Sequence, residues 1–267
     1  MNHRPEHVED RKDARGAAIA GRYRSGLASC LLGSSLIGWM FLAWMAIDMG
    51  HPFVQLMMPA SSSWTSLNLI AILSMWAIMM AAMMLPSALP TVMTFARLCK
   101  NSRTQPRLAA FIGAYLLVWI AFSGAATLMQ WVLQWKEWVD MMIVSTSATL
   151  SGALLLIAGI YQFSPLKRVC LAHCRTPIGF LLGEWRIGVQ GAFVMGLRHG
   201  LFCLGCCWSL MILLFVGGVM DIAWIAALSI AVAIEKMARY GDKLALVLGV
   251  VLIAAGAARL GFIFFDR

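Results

Sequence analysis

One apolar segment, residues 196–208, contains three cysteines and a histidine. On a helix that turns about 100° per residue, side chains spaced i, i+4 and i+7 share one face. The candidate ligands on this face are Met195, His199, Cys203, Cys206 and, on its flank, Cys207. Thioether, imidazole and thiolate groups are ligands that soft and borderline metal ions prefer. The segment therefore predicts a metal site, for which Cu(I) is favoured and zinc is the alternative.

A second segment, residues 75–90, carries five methionines within ten residues. At helical spacing they form two neighbouring stripes. We interpret Met79 and Met83 as ligands that face the cysteines, and the further candidates of this segment are Met80 and Met84. Pro86 lacks the N–H that a helix interior needs, so we expect the helix to end there. The carbonyls freed near Pro86, together with Ser87, would then line a cavity.

Two further groups lie outside these segments. Cys170, His173 and Cys174 fall in a predicted cytoplasmic loop, where they would form an exposed metal or redox pair. Glu235 follows a short apolar run and precedes Lys236. It is interpreted as a solvated helix end, as a partner of Arg198, or as an oxygen ligand or proton site.

The composition predicts a membrane protein. Of the 267 residues, 61% are hydrophobic and only 12% are charged, whereas soluble domains carry about 25% charged residues. A chain with so little charge needs lipid as its main solvent. The net charge of +9 comes from clusters between apolar runs, which indicates membrane topology rather than binding of nucleic acid. Seven cysteines, mostly in apolar surroundings, indicate free thiols rather than a disulfide framework.

The pattern of apolar runs predicts an all-α, polytopic bundle of about seven transmembrane helices. Residues 1–25 form a cytoplasmic polar tail, and residues 26–267 form a single transmembrane domain. Basic residues cluster in the tail and after the second, fourth and sixth spans, which places the N-terminus inside and the C-terminus outside. Six spans plus an interfacial segment is the alternative count. The predicted spans cover residues 27–47, 67–85, 108–133, 147–163, a run that includes 196–208, 220–234 and 244–265.

Two blocks resemble a known family. The sequences MMAAMMLPSALP and GLRHGLFCLGCCWSLM, with GGVMDIAWIAALSIAVAIEK after them, are similar to bacterial integral membrane proteins described as predicted metal-binding (domain of unknown function 2182). The resemblance spans about residues 65–245 and implies an all-helical protein of the inner membrane. The residues that it implies are shared are Met79, Met80, Met83, Met84, Pro86, Ser87, Pro90, His199, Cys203, Cys206, Cys207, Trp208 and Glu235.

The first functional hypothesis is a metal-handling membrane protein that binds Cu(I) for transport or delivery, with a metal chaperone or a membrane complex as partner. A membrane thiol–disulfide protein is the second, because Cys203 and Cys206 have the CxxC spacing; it requires a helix N-terminus beside them. A structural or assembly subunit is the third, because cysteine also serves as a small core residue. No phosphate loop or serine–histidine–acid set occurs, so we expect a binding or transport protein rather than an enzyme.

Overall fold

The computed structural model describes residues 6–59, 63–99, 104–140 and 143–265. The described chain is all-α, as predicted, and contains no strand beyond a single antiparallel bridge between Val139 and Ser145. The first five residues of the predicted polar tail lie outside the described chain, and its remainder forms the start of the first helix. The helices are α1 Glu6–Ile47, α2 Pro52–Met57, α3 Ser66–Leu98, α4 Thr104–Trp135, α5 Ala148–Gln162, α6 Pro165–Arg175, α7 Pro177–Gly183, α8 Gly188–Met211, α9 Leu214–Gly217, α10 Ile222–Met237 and α11 Gly241–Phe265.

Five helical segments of the described chain are long and apolar enough to cross a bilayer: Ser25–Ile47, Ser66–Leu98, Thr104–Trp135, Gly188–Gly217 and Gly241–Gly261. The pair α5 and α6 meets the same criterion only as one broken span with a bend of 65°. Helix α10, the predicted sixth span, has 16 residues and falls short of the about 20 that a straight span needs. The structure thus supports five or six spans, and the count of seven and its orientation stay predictions.

Side chains at the helix N-termini explain where several helices begin. Thr65 and Asn68 form a reciprocal capping box at the start of α3. Ser147 caps α5, and the carboxylate of Asp221 accepts two backbone N–H groups at the start of α10. At α8 the turn is made by Gly188, whose φ of +83° is a conformation that favours glycine.

Helix α3 continues through Pro86 and Pro90, so the prediction that it ends at Pro86 was wrong. A proline in a helix leaves the carbonyl four residues earlier without its N–H partner. That carbonyl belongs to Ala82, and the hydroxyl of Ser35 on α1 donates to it at 2.7 Å. Because the neighbouring helix supplies the missing hydrogen bond, the proline interrupts one bond without ending the helix.

Small residues let the central helices approach closely. A Cβ on Gly196 of α8 would overlap the carbonyl oxygen of Phe111 on α4, and one on Gly200 would lie 2.8 Å from Val118. In α5 and α11, a Cβ on Gly159 would lie 2.9 Å from the carbonyl oxygen of Gly249. These glycines therefore serve close packing between helices of this chain.

Two arginines near helix ends contact other segments of the chain. The guanidinium of Arg107 donates to the carbonyl of Arg186 at 3.3 Å and lies 5.2 Å from the ring of Trp185. Arg175 donates to the carbonyl of Ala238 and forms an ion pair of 2.8 Å with Asp242. These contacts hold the start of α4 against the segment before α8, and the end of α6 against the segment between α10 and α11.

Candidate metal centre

The predicted ligand face of α8 is buried in the middle of the bundle. Helix α8 begins at Gly188, three turns before His199, so neither His199 nor Cys203 lies at a helix end. Met195, His199, Cys203 and Cys206 are each at most 3% exposed. Cys207 is also buried, so the whole predicted set faces the interior. A helix N-terminus beside Cys203, which the thiol–disulfide hypothesis requires, is not present.

The three thiols of α8 are free and are held close to one another. The thiols of Cys206 and Cys207 each donate to the carbonyl oxygen of Cys203 at 3.0 Å. This pattern is back-bonding to the preceding turn of the same helix. Because a thiol can leave such a bond by rotating about χ1, the sulfur atoms are available to an incoming soft ion.

A buried lysine that was not predicted, Lys236, lies beside the cysteines of α8. We call the group formed by His199, Cys203, Cys206, Cys207 and Lys236 the polar centre. Lys236 of α10 is 7% exposed, and its Nζ lies 3.0 Å from Sγ of Cys203. The same ammonium donates to the hydroxyl of Ser87 at 3.2 Å and lies 3.9 Å from the sulfur of Met84. A buried cation is costly unless it has partners, and these three atoms supply them. No sequence signal distinguishes Lys236 from the basic residues at solvated helix ends.

Tyr115 of α4 joins the methionine segment to the cysteines. Its hydroxyl lies 3.2 Å from Sγ of Cys203 and 3.2 Å from the carbonyl oxygen of Met84. The side chain is 1% exposed. Its burial at the contact between α4 and α8 follows from the close approach at Gly196 and Gly200. Tyr115 was also missed, because a single tyrosine in an apolar run resembles any other aromatic core residue.

The imidazole of His199 packs among aromatic rings, but neither of its two nitrogens forms a hydrogen bond. Its imidazole lies against Phe111, Tyr115 and Phe180, with ring centroids 5.5–5.9 Å apart. Both Nδ1 and Nε2 are buried and have no hydrogen-bond partner. A buried polar atom without a partner costs about 1–3 kcal/mol, and such an exception needs an explanation. A metal ion bound at one nitrogen would provide it.

Cys170, His173 and Cys174 lie on a helix rather than in the predicted exposed loop. Ser164 caps α6 and Pro165 occupies its first turn, so this short stretch folds as an amphipathic helix. Its apolar side packs on α8: Cys170 is buried against Gly205, and the ring of His173 stacks on Phe202 at 4.2 Å. Sγ of Cys174 lies 4.0 Å from Sγ of Cys206.

The five candidate methionines, Met79, Met80, Met83, Met84 and Met195, are all buried, but they have different neighbours. Met79, Met80 and Met83 are at most 3% exposed and belong to the apolar core. Among the stripe residues, the sulfur that approaches the polar centre is that of Met84, through Lys236. The sulfur of Met195 accepts the backbone N–H of Arg186 at 3.3 Å, which turns it toward the start of α8.

Glu235 forms neither the solvated helix end nor the pair with Arg198 that the sequence suggested. It is 1% exposed, its carboxylate lies 2.7 Å from Nζ of Lys167, and Gln162 donates to it at 3.3 Å. Arg198 instead pairs with Glu184 at the surface. Helix α6 carries Lys167 and packs beside α10, so tertiary packing rather than chain position determines the partner.

The candidate ligands of α8 are of the types that a soft ion prefers, but their side chains do not converge on a single metal position in this conformation. Within the described ranges, no three His, Cys, Asp or Glu side chains form a group that could hold a metal ion. The thiols of Cys206 and Cys207 must turn from the carbonyl of Cys203 before they can bind. The unpaired imidazole of His199 and the free thiols of α8 are nevertheless ligands that soft and borderline metal ions prefer.

Comparison with known proteins agrees with this chemistry. A family model described as PpoB2, copper chaperone, matches residues 73–259. The match covers more than half of the chain and includes the methionine segment, α6, α8 and Lys236. No curated protein and no solved structure is similar to the chain at a significant level. The polar centre thus lies inside the matched region, and the chain belongs to the PpoB2 copper chaperone family.

Proposed function

We propose that this protein is a copper chaperone embedded in the inner membrane, which binds Cu(I) as cargo and delivers it to a partner. The membrane location is supported by the long apolar helices, whose outward side chains are large and apolar; Ile37 and Ile70 are both more than 60% exposed. Delivery is favoured over pumping because the family description is that of a chaperone and the sequence has no phosphate loop.

The observation that carries the proposal is the polar centre of α8. Two free thiols, Cys203 and Cys206, and an imidazole with two unpaired nitrogens, His199, share one buried helix face. Thiolate and imidazole bind both Cu(I) and zinc, but thiolates with buried thioether sulfurs nearby, such as that of Met84, favour the softer ion. We assign Cys203 and Cys206 as the main ligands, and His199 as the third.

The remaining sulfur residues take supporting roles in this proposal. Cys207 lies one residue from Cys206 and serves as an alternative thiolate. Met79 and Met83, with Met80 and Met84 beside them, line the inner side of α3 and provide a polarisable, non-reactive environment. The ammonium of Lys236 compensates the negative charge of the bound cysteines.

Metal analysis of the purified full chain tests this proposal. The detergent-solubilised protein is incubated anaerobically with Cu(I) and zinc together, and its metal content is measured. We expect about one equivalent of copper in the wild type and less than a tenth of that in the double variant Cys203→Ser/Cys206→Ser. The matched control is Cys30→Ser/Cys99→Ser, which removes two cysteines far from the centre and should keep the wild-type content. Equal copper in both double variants, or preferential binding of zinc, would overturn the proposal.

A further inference from the structure

Helix α6 places a thiol between the surface and the buried cysteines. Cys174 is partly exposed, whereas Cys206 and Cys203 are 1% and 2% exposed. The sulfur atoms of Cys174 and Cys206 lie 4.0 Å apart. Metal–thiolate bonds are about 2.3 Å long, so a single ion can bridge two sulfurs at this separation.

The surroundings keep Cys174 in this position. The neighbouring Arg175 is tied to the carbonyls of Ala238 and Arg239 and to the carboxylate of Asp242. His173, on the other side, stacks on Phe202 of α8. The last turn of α6 therefore contacts both α8 and the segment after α10, and Cys174 lies between these two contacts.

We propose that Cys174 is the exchange ligand through which Cu(I) passes between an external thiolate carrier and the buried pair Cys203 and Cys206. This inference rests on the proposed function, because it assumes that α8 holds the copper. The carrier is a soluble protein or small molecule that presents Cu(I) on thiolates. Such complexes are anionic, and Cys174 is followed by Arg175, whose guanidinium lies against the backbone of Arg239.

The exchange proceeds without any change of oxidation state. The Cu(I)–sulfur bond to Cys174 forms as one bond to the carrier breaks, and the proton of the Cys174 thiol passes to the departing carrier sulfur. In the second step, Cys206 binds the ion as the remaining bond to the carrier breaks, and the proton of the Cys206 thiol passes to that departing carrier sulfur. In the third step, Cys203 binds the ion as its bond to Cys174 breaks, and the proton of the Cys203 thiol moves to Cys174. Copper remains Cu(I) throughout, and each thiol that binds the ion releases one proton to the thiolate that leaves.

The rate of copper release distinguishes an exchange ligand from a resident one. Wild-type protein and the Cys174→Ser variant are loaded with Cu(I), and transfer to the anionic chelator bathocuproine disulfonate is followed anaerobically by absorbance. A hydroxyl binds Cu(I) poorly, so we expect the variant to release its copper at least about tenfold more slowly while its copper content at equilibrium stays near that of wild type. Cys30→Ser, at an exposed position on α1, is the control and should exchange at the wild-type rate.

Failure of this inference is separable from failure of the proposed function. If wild type binds copper, Cys203→Ser/Cys206→Ser does not, and Cys174→Ser exchanges at the wild-type rate, then Cys174 is not on the path. If Cys174→Ser instead loses its copper content as completely as the α8 double variant, Cys174 is a resident ligand and the exchange role is wrong. A thermal-unfolding curve like that of wild type verifies that the variant is folded.

Discussion

Nζ of Lys236 lies 3.0 Å from Sγ of Cys203, although the two residues are 33 positions apart and belong to different helices. Two thiolates and one Cu(I) carry a net charge of −1, which a buried site tolerates poorly. The ammonium brings the sum to zero. The contact thus gives the proposed centre the charge balance that a bound Cu(I) dithiolate requires.

The Lys236→Met variant tests this charge balance. Methionine preserves much of the length and the apolar stem of lysine but removes the charge, so the Cu(I) dithiolate becomes an uncompensated buried anion. We expect Cu(I) affinity, measured by competition with a chelator of known affinity, to fall at least about tenfold, which corresponds to about 1.4 kcal/mol. Lys243→Met is the control, because Lys243 is exposed and lies over the ring of Tyr240. Tighter binding in Lys236→Met would mean that the ammonium competes with copper instead of balancing it.

Replacing His199 by phenylalanine should separate binding from stability. The ring still fits among Phe111, Tyr115 and Phe180, but both unpaired nitrogens disappear. We expect the copper-free protein to unfold at the wild-type temperature or up to a few degrees higher, because removing unpaired buried polar atoms costs no hydrogen bond. Copper affinity should decrease about tenfold or more if a nitrogen is the third ligand. His173→Phe is the control: the new phenylalanine can still stack on Phe202, and this variant should bind copper with wild-type affinity.

The close approach of α4 and α8 predicts a strong effect of one methyl group. In Gly196→Ala the new Cβ overlaps the carbonyl oxygen of Phe111, a backbone atom that cannot turn away. The helices must separate, and we expect a loss of about 3 kcal/mol in the free energy of unfolding, together with weaker copper binding. Gly113→Ala on α4 is the matched control, since its Cβ would meet nothing within 4 Å. Denaturation of both variants in the same detergent provides the comparison; equal stability would contradict the helix spacing described above.

The sequence was sufficient for the parts of the site that lie on one helix. His199, Cys203 and Cys206 share a face because helical geometry alone relates residues three, four and seven positions apart. The all-α class and the apolar helices depend on the same local patterns, and both were predicted.

The parts that join different helices were not accessible from the sequence. Lys236 and Glu235 resemble a solvated helix end, and only the packing of α10 beside α3 and α6 explains why both are buried. Helix α6 was missed because 11 residues with Cys, His and Arg lack the long apolar run of a span. The end of α3 was wrongly placed at Pro86, because the carbonyl that this proline leaves without an N–H partner accepts a hydrogen bond from Ser35 on another helix.

Glu235 and Lys236 are consecutive, yet their side chains bind two different helices. The carboxylate of Glu235 pairs with Lys167 of α6, and the ammonium of Lys236 contacts Cys203 of α8. The end of α10 is thus a mechanical linkage between the copper pocket and the helix that carries Cys174. Because the ammonium would stay beside Cys203 as the counter-charge of bound Cu(I), we expect an occupied centre to hold the end of α10 in place and, through Glu235 and Lys167, also the helix at which copper is proposed to enter and leave.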